Sequence, residues 1–179
     1  MSQAPFSTLA DFRARLANAP APDAAARADA EERNGQLTKP PGSLGRLEDA
    51  ALDFAGWQGT AVPQLEQLQV CVFAADHGVV DEGVSAFPQA VTVEMIRNFA
   101  AGGAAISVLA RQMGAAFSVV NLGTVGPAPE HDAVIDASVR PGTRNFCLEP
   151  AMSPEEVEAC LFAGRDQVGP TTNLFIGGE

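Results

Sequence analysis

The residues best placed to do chemistry lie where apolar runs stop. The run LQVCVFAA at residues 68–75 ends abruptly at Asp76-His77-Gly78. A second run at 115–122 ends at Asn121-Leu122-Gly123, and a third at 172–177 leads into Gly177-Gly178-Glu179. Each ending carries glycine, whose backbone tolerates close approach and whose N–H groups can face an anion. Two of the three carry a carboxylate. Glycine after a strand is also ordinary turn chemistry, so one such ending alone says little. His77 is the sharpest single residue. Asp76 and His77 could form a base with an orienting carboxylate, or Asp76 could simply cap a loop by accepting backbone N–H groups. Neighbours on a strand point to opposite faces, which counts against the dyad. No nucleophile matches it, because Ser85 lies outside a GxSxG elbow.

Other chemistries lack their residues. The two histidines, His77 and His131, are far apart in sequence, and the cysteines Cys71, Cys147 and Cys160 form no CxxC or CxxH. No metal site, resident cofactor or disulfide framework is therefore expected. Cys71 reads as a core residue and His131 as a solvated one. Gly102-Gly103 does not follow a strand and is no dinucleotide fingerprint; close helix packing is the expected reason for its small residues. The block KPPGSLGRLE at 39–48 is no Walker motif, since its lysine precedes the glycines. Alone it reads as a loop entering a capped helix.

These endings need elements to hold them in place. Residues 7 to 35 read as two helices, the first with Leu9, Phe12 and Leu16 on one face, the second opened by Asp23 and rich in alanine. Ser43 reads as the cap of a third helix reaching about Gln58, with Leu44, Leu47, Ala51, Leu52 and Phe54 on its apolar face. The 68–75 run reads as a central parallel strand. After a loop at 76–91, Thr92 reads as the cap of a helix through Phe99, and a further helix spans Ala104 to Met113. A short strand covers Val134-Ile135-Asp136, and a loop covers 137–151. Ser153 with Pro154, Glu155 and Glu156 opens the last helix. Alternating strands and helices give an α/β fold: a parallel, doubly wound, Rossmann-like three-layer sheet. A helical N-terminal lobe is expected over residues 1–60 and the sheet domain over 61–179. In such sheets ligands bind outside the carboxyl ends of the strands, where the three glycine-bearing endings lie.

The chain has 179 residues, a hydrophobic content of 46% and a formal net charge of -11. That is long enough for a core, and the acidity argues against nucleic acid as a partner. No run approaches the roughly 18 apolar residues of a membrane span. With no signal peptide in view, the expected compartment is the cytoplasm.

Four blocks together resemble one family. They are residues 39–48; residues 75–111, beginning ADHGVVDEGVSAFPQAVT; GTRNFCLEPAM at 142–152; and Ile176-Gly177-Gly178-Glu179. In this order they resemble the nicotinate-nucleotide:dimethylbenzimidazole phosphoribosyltransferases of cobalamin lower-ligand assembly, over about residues 36–179. The resemblance implies transfer of phosphoribose from nicotinate mononucleotide to 5,6-dimethylbenzimidazole, with small-molecule substrates and a homodimeric enzyme. It implies that Ser85 and Phe87 lie near the flat base, with Asp76, His77 and Gly78 forming the adjacent strand end. It implies that Gly177, Gly178 and Glu179 begin a loop that contacts the nucleotide. The family's catalytic glutamate falls beyond residue 179, so no catalytic residue is assigned here. The fold is expected to be incomplete and the chain alone inactive. Asn121 stands where the family more often has aspartate. The competing expectation is a non-catalytic module that holds an aromatic base or nucleotide.

Overall fold

The computed structural model describes residues 6–179, so the first five residues of the expected lobe lie outside it. The chain forms two compact units, Ala10–Leu65 and a larger one containing Glu66–Glu179 together with the N-terminal segment up to Leu9.

The smaller unit is helical. Helix α1 spans Leu9–Ala17 and buries none of its residues. Helix α2, Ala24–Gln36, is opened by Asp23, whose carboxylate accepts the N–H groups of Ala25 and Ala26 at 2.9 and 3.0 Å. Small residues let it lie close to helix α3, Arg46–Gln58, where Ala30 packs with Leu52 and Ala55. The expected cap at Ser43 is not what starts α3. Gly45 precedes the helix with φ 54°, a left-handed conformation that glycine tolerates. Glu48 instead gathers the turn before it, accepting Lys39 Nζ at 2.8 Å, the Leu44 N–H at 3.1 Å and Asn34 Nδ2 at 3.0 Å. The buried face of α3 is also narrower than its pattern implied, because Leu44 and Leu47 stay exposed.

The larger unit is an α/β sheet. Its strands are β1 Leu68–Ala75, β2 Ala116–Gly123, β3 Val134–Asp136 and β4 Leu174–Gly178. All pairs are parallel, in the order β3-β2-β1-β4. Helices α4 (Ala90–Ala100) and α5 (Ala105–Gln112) join β1 to β2. Both pack on β2, and α4 also reaches β1. On that face Val72, Ile96 and Val119 form the core, with Phe99, Ile106 and Phe117 against them. The alternate strand residues face the other way. There Cys71 and Val120 are fully buried, and burial raises the Cys71 thiol's pKa. Gln69 binds the segment after helix α6 (Pro154–Arg165), accepting Thr172 Oγ1 at 3.1 Å and donating to the Gln167 carbonyl. Helices α4 and α5 thus cover one face, and the segment after α6 is bonded to the other.

Helix α6 starts as its sequence foretold. Ser153 accepts the Glu156 N–H at 3.2 Å, and Glu156 accepts the Ser153 N–H at 2.6 Å, a complete capping box. Two other readings change. Helix α4 begins at Ala90, so Thr92 lies inside its first turn and is not its cap. Gly102 is small for a backbone reason, its φ of 79°, while an added Cβ at Gly103 would overlap the Asn98 side chain. By length and composition, Ala90–Gln112 passes for a membrane span with mean hydropathy 1.2, contrary to the expectation that no run approaches one. The glycine pair divides it into α4 and α5, each far shorter than the ~20 residues a span needs. Val93 and Ile96 of α4 and Ala110 of α5 are buried within the unit.

The Glu48 cluster has a pH signature. Hydrogen bonds from Asn34, Lys39 and the Leu44 backbone lower its carboxyl from 4.5 to about 2. A depressed acid stabilises the folded state above its unfolded pKa and loses that contribution as pH falls through its folded one. Stability of the helical unit, followed by urea titration with Trp57 fluorescence, should therefore drop as pH falls from about 4.5 toward about 2. Glu48→Gln should be less stable at neutral pH and should flatten that part of the profile.

Candidate functional site

The strand order reverses at β1: the chain moves from β1 outward to β2 and β3, then returns to place β4 on β1's other side. A crevice forms where such a sheet changes direction, outside the carboxyl ends of the strands. Here a cleft of about 690 Å³ occupies that position. Its wall takes in the end of β1 through His77, the segment after it, one face of α4, and Glu179 beyond β4. Most of the lining is apolar, including Val80, Phe87, Met95 and Phe99, which suits a flat ring.

Asp76 organises this region. It is 3% exposed, and both carboxylate oxygens are occupied. Oδ1 accepts the Thr92 hydroxyl at 2.6 Å and Oδ2 accepts the Val125 N–H at 2.8 Å. Its backbone N–H donates to the Gly123 carbonyl at 3.0 Å, and its carbonyl accepts the Thr143 N–H at 2.9 Å. One residue thus ties β1 to α4, to the end of β2 and to the 137–151 loop. The Asp76–His77 dyad does not form. His77 turns toward Thr143, with Nδ1 3.4 Å from its hydroxyl, and its carbonyl accepts Gln89 Nε2 at 3.3 Å. His131, in its exposed loop, has Nδ1 accepting the Ala133 N–H at 3.0 Å.

The segment after His77 contains a short 3-10 helix, Gly78–Glu82, where the sequence suggested only loop. Gly78 is small because the chain itself crowds it. A Cβ there would lie 2.6 Å from the Asn145 nitrogen and 2.7 Å from the Thr143 oxygen, both backbone. Asn145 Nδ2 also donates to Glu82 at 2.7 Å. Ser85 and Phe87 both line the cleft. The Ser85 hydroxyl donates to the Phe87 carbonyl at 2.9 Å and accepts the Phe87 N–H at 3.2 Å, fixing an exposed ring at the rim. Gly177 and Gly178 sit within β4, opposite Cys71 and Val72, and do not line the cleft; Glu179 does. Sequence reasoning missed Met95, Phe99 and Gln89 as wall residues. Met95 and Phe99 share the helical spacing of one α4 face with Thr92, a signal that the misplaced cap obscured.

Asn121 closes the end of β2 and does not line the cleft. Its Oδ1 accepts the N–H groups of Gly123 and Thr124 at 3.1 and 3.0 Å, and its Nδ2 donates to Asp136 Oδ1 at 3.1 Å. It is 3% exposed. In the 137–151 loop, Arg144 is held by Glu156 through two hydrogen bonds of 2.8 and 3.2 Å. The Arg144 bonds, with the Ser153 N–H, keep the Glu156 carboxyl below its usual range.

Two substitutions test this wiring. Asn121→Asp sets a second carboxylate against Asp136 in place of a donor. Chemical denaturation should show a loss of about 1–3 kcal/mol at neutral pH, partly recovered as the pair takes up a proton in acid. Gly78→Ala forces the 143–145 backbone away and should cost on the order of 2–4 kcal/mol by the same measurement.

Comparison with known proteins places this geometry. A family model described as "Phosphoribosyltransferase" matches residues 19–179. The nicotinate-nucleotide–dimethylbenzimidazole phosphoribosyltransferase of Ruegeria pomeroyi is 53% identical over 174 residues, covering 97% of this chain and 47% of that protein. The protein of the same name from Xanthomonas oryzae pv. oryzae is 51% identical over 162 residues, covering 88% and 47%. The crystal structure of the Thermus thermophilus enzyme of that name superposes with a TM-score of 0.77 at 46% identity, over 87% of this chain and 48% of that one. The chain spans about half the length of the curated relatives it matches. With the model match covering most of its length, the chain belongs to this phosphoribosyltransferase family.

Proposed function

We propose that this chain forms the base-binding side of an enzyme that moves phosphoribose from nicotinate mononucleotide to 5,6-dimethylbenzimidazole, giving α-ribazole 5′-phosphate and nicotinate for cobalamin assembly. The observation that carries this reading is the apolar cleft at the switch point of the sheet, with Phe87 held at its rim by Ser85. Among the residues lining it there is no lysine or arginine, while Asp76 and Glu179 contribute carboxylates. Such a wall suits a neutral aromatic base far better than a phosphate. Asp76, His77 and Gly78 act as the frame of the base site. Gly177, Gly178 and Glu179 form the approach to the nucleotide, with Glu179 the member that faces the cleft.

The chemistry asks little covalent work of the protein. The bond between C1′ and the pyridinium nitrogen breaks with its electron pair passing to that nitrogen, which leaves neutral without a general acid. One benzimidazole nitrogen forms the new bond to C1′ with its lone pair, and the ring's other nitrogen gives up its proton to a base. The enzyme must align the reactants, stabilise an electron-poor C1′ and accept that proton. Asp76 is committed to the frame, both its oxygens accepting hydrogen bonds within the protein. We assign no catalytic base within residues 1–179. The enzyme is proposed to act as a cytoplasmic homodimer.

Separate titrations of 5,6-dimethylbenzimidazole and nicotinate mononucleotide against the purified chain, with an assay for α-ribazole phosphate, test the reading. The base should bind, the nucleotide should bind much more weakly, and no product should form. Failure of the base to bind sinks the proposed site; clear turnover sinks the assignment of the base to residues outside this chain. Base binding without turnover by a protein of full family length would favour the non-catalytic module.

A further inference from the structure

We infer that Thr92 is a positioning residue of the cleft: through Asp76 it sets the rotation of α4, and with it which benzimidazoles the cleft accepts. The inference rests on the base-binding reading above. Helix α4 has no side-chain cap; Gln89 precedes its first residue and makes no capping bond. Its first turn is held by the Thr92 hydroxyl, which donates to Asp76 Oδ1 at 2.6 Å. That distance is typical of a hydroxyl bonded to an ionised carboxylate, the stronger kind of hydrogen bond. The carboxylate is itself immobile, because its other oxygen accepts the Val125 N–H and its backbone is bonded on both sides.

The other points that fix α4 are Val93 and Ile96, both buried, with Ile96 among Val72 and Val119. Val93 and Ile96 in the core, with Phe99 against it, hold the helix on the sheet, and the hydroxyl near its start fixes the rotation of its first turn. Thr92, Met95 and Phe99 follow one another at helical spacing, and all three line the cleft. Releasing the hydroxyl leaves apolar packing at Val93 and Ile96 alone to set that rotation, and the first turn shifts on it. Met95, which is 38% exposed, then moves against the ring site. Met95 and Phe99 make this wall apolar, so alkyl substituents on the ring are sensed there and the pin acts on selectivity and not only on stability.

A graded series tests the idea: Thr92→Ser keeps the donor, Thr92→Cys weakens it, and Thr92→Val removes it at nearly constant shape. The Met95 methyl resonance is followed without ligand, with Met113 and Met152 as internal references. Dissociation constants are then measured for 5,6-dimethylbenzimidazole and unsubstituted benzimidazole. Thr92→Val should shift Met95 and change the ratio of the two constants roughly tenfold, about the worth of a well-fitted methyl group, while Thr92→Ser stays within about twofold of the parent. Thr92→Cys should fall between them and decides the matter if the valine variant does not fold. Ser153→Ala, which loosens a helix start away from the cleft, should lower stability and leave the ratio unchanged. An unmoved Met95 or an unchanged ratio in the folded variants overturns the inference. If the unmutated chain binds neither base, the base-binding reading falls and takes the inference with it; binding with an unchanged ratio overturns the inference alone.

Discussion

The buried carboxylate of Asp76 is the constraint from which the rest of the sheet unit takes its shape. Burying a carboxylate is costly unless donors surround it. Here the donors are the Thr92 hydroxyl on α4 and the Val125 N–H after β2, and neither is close to Asp76 in sequence. Satisfying the charge therefore obliges three separate segments to converge at the end of β1. The cleft is the space left in front of that convergence. Its apolar wall and its polar frame are two results of one arrangement, since a charge paired within the protein leaves the ring-facing surface free to be apolar.

The same residues show why part of this was legible in the sequence. The nearly continuous apolar run of β1 announced a strand covered on both faces, and its limits, 68–75, were read directly from composition. Ser153 with Glu156 announced α6 because the cap and its partner lie three residues apart, within reach of local pattern. Thr92 misled because a threonine before an apolar helix carries the same local signal whether it caps that helix or bonds a carboxylate sixteen residues away. Gly78 was read as room for a ligand, yet what approaches it is the backbone of residues 143–145, a contact no local pattern encodes. Asn121 was opaque for the same reason, its partner Asp136 lying on the neighbouring strand.

The family blocks divide along similar lines. Ser85, Phe87 and Glu179 line one cleft although they belong to distant parts of the chain. Gly177 and Gly178 instead lie in β4, where ordinary contacts of 3.5–3.7 Å surround the places a Cβ would take. The block at 39–48 belongs to the helical unit, where the Lys39–Glu48 pair braces a turn between two left-handed glycines, Gly42 and Gly45. A motif that reads as one signature in sequence therefore mixes residues that shape a ligand surface with residues that hold a backbone still.

The placement of β1 at the middle of a parallel sheet also governs how the chain reaches its native state. Its neighbours arrive late: the contact that brings Gln67 to Asn173 joins residues 106 positions apart. Contacts of such long range require large loops to close before pairing can reward them, so the sheet unit belongs to the slow-folding topologies. Until β2 and β4 dock, the most apolar run in the chain stays uncovered. The feature that makes β1 the frame of the cleft in the finished molecule makes it the segment most exposed to misassociation while the molecule is being made.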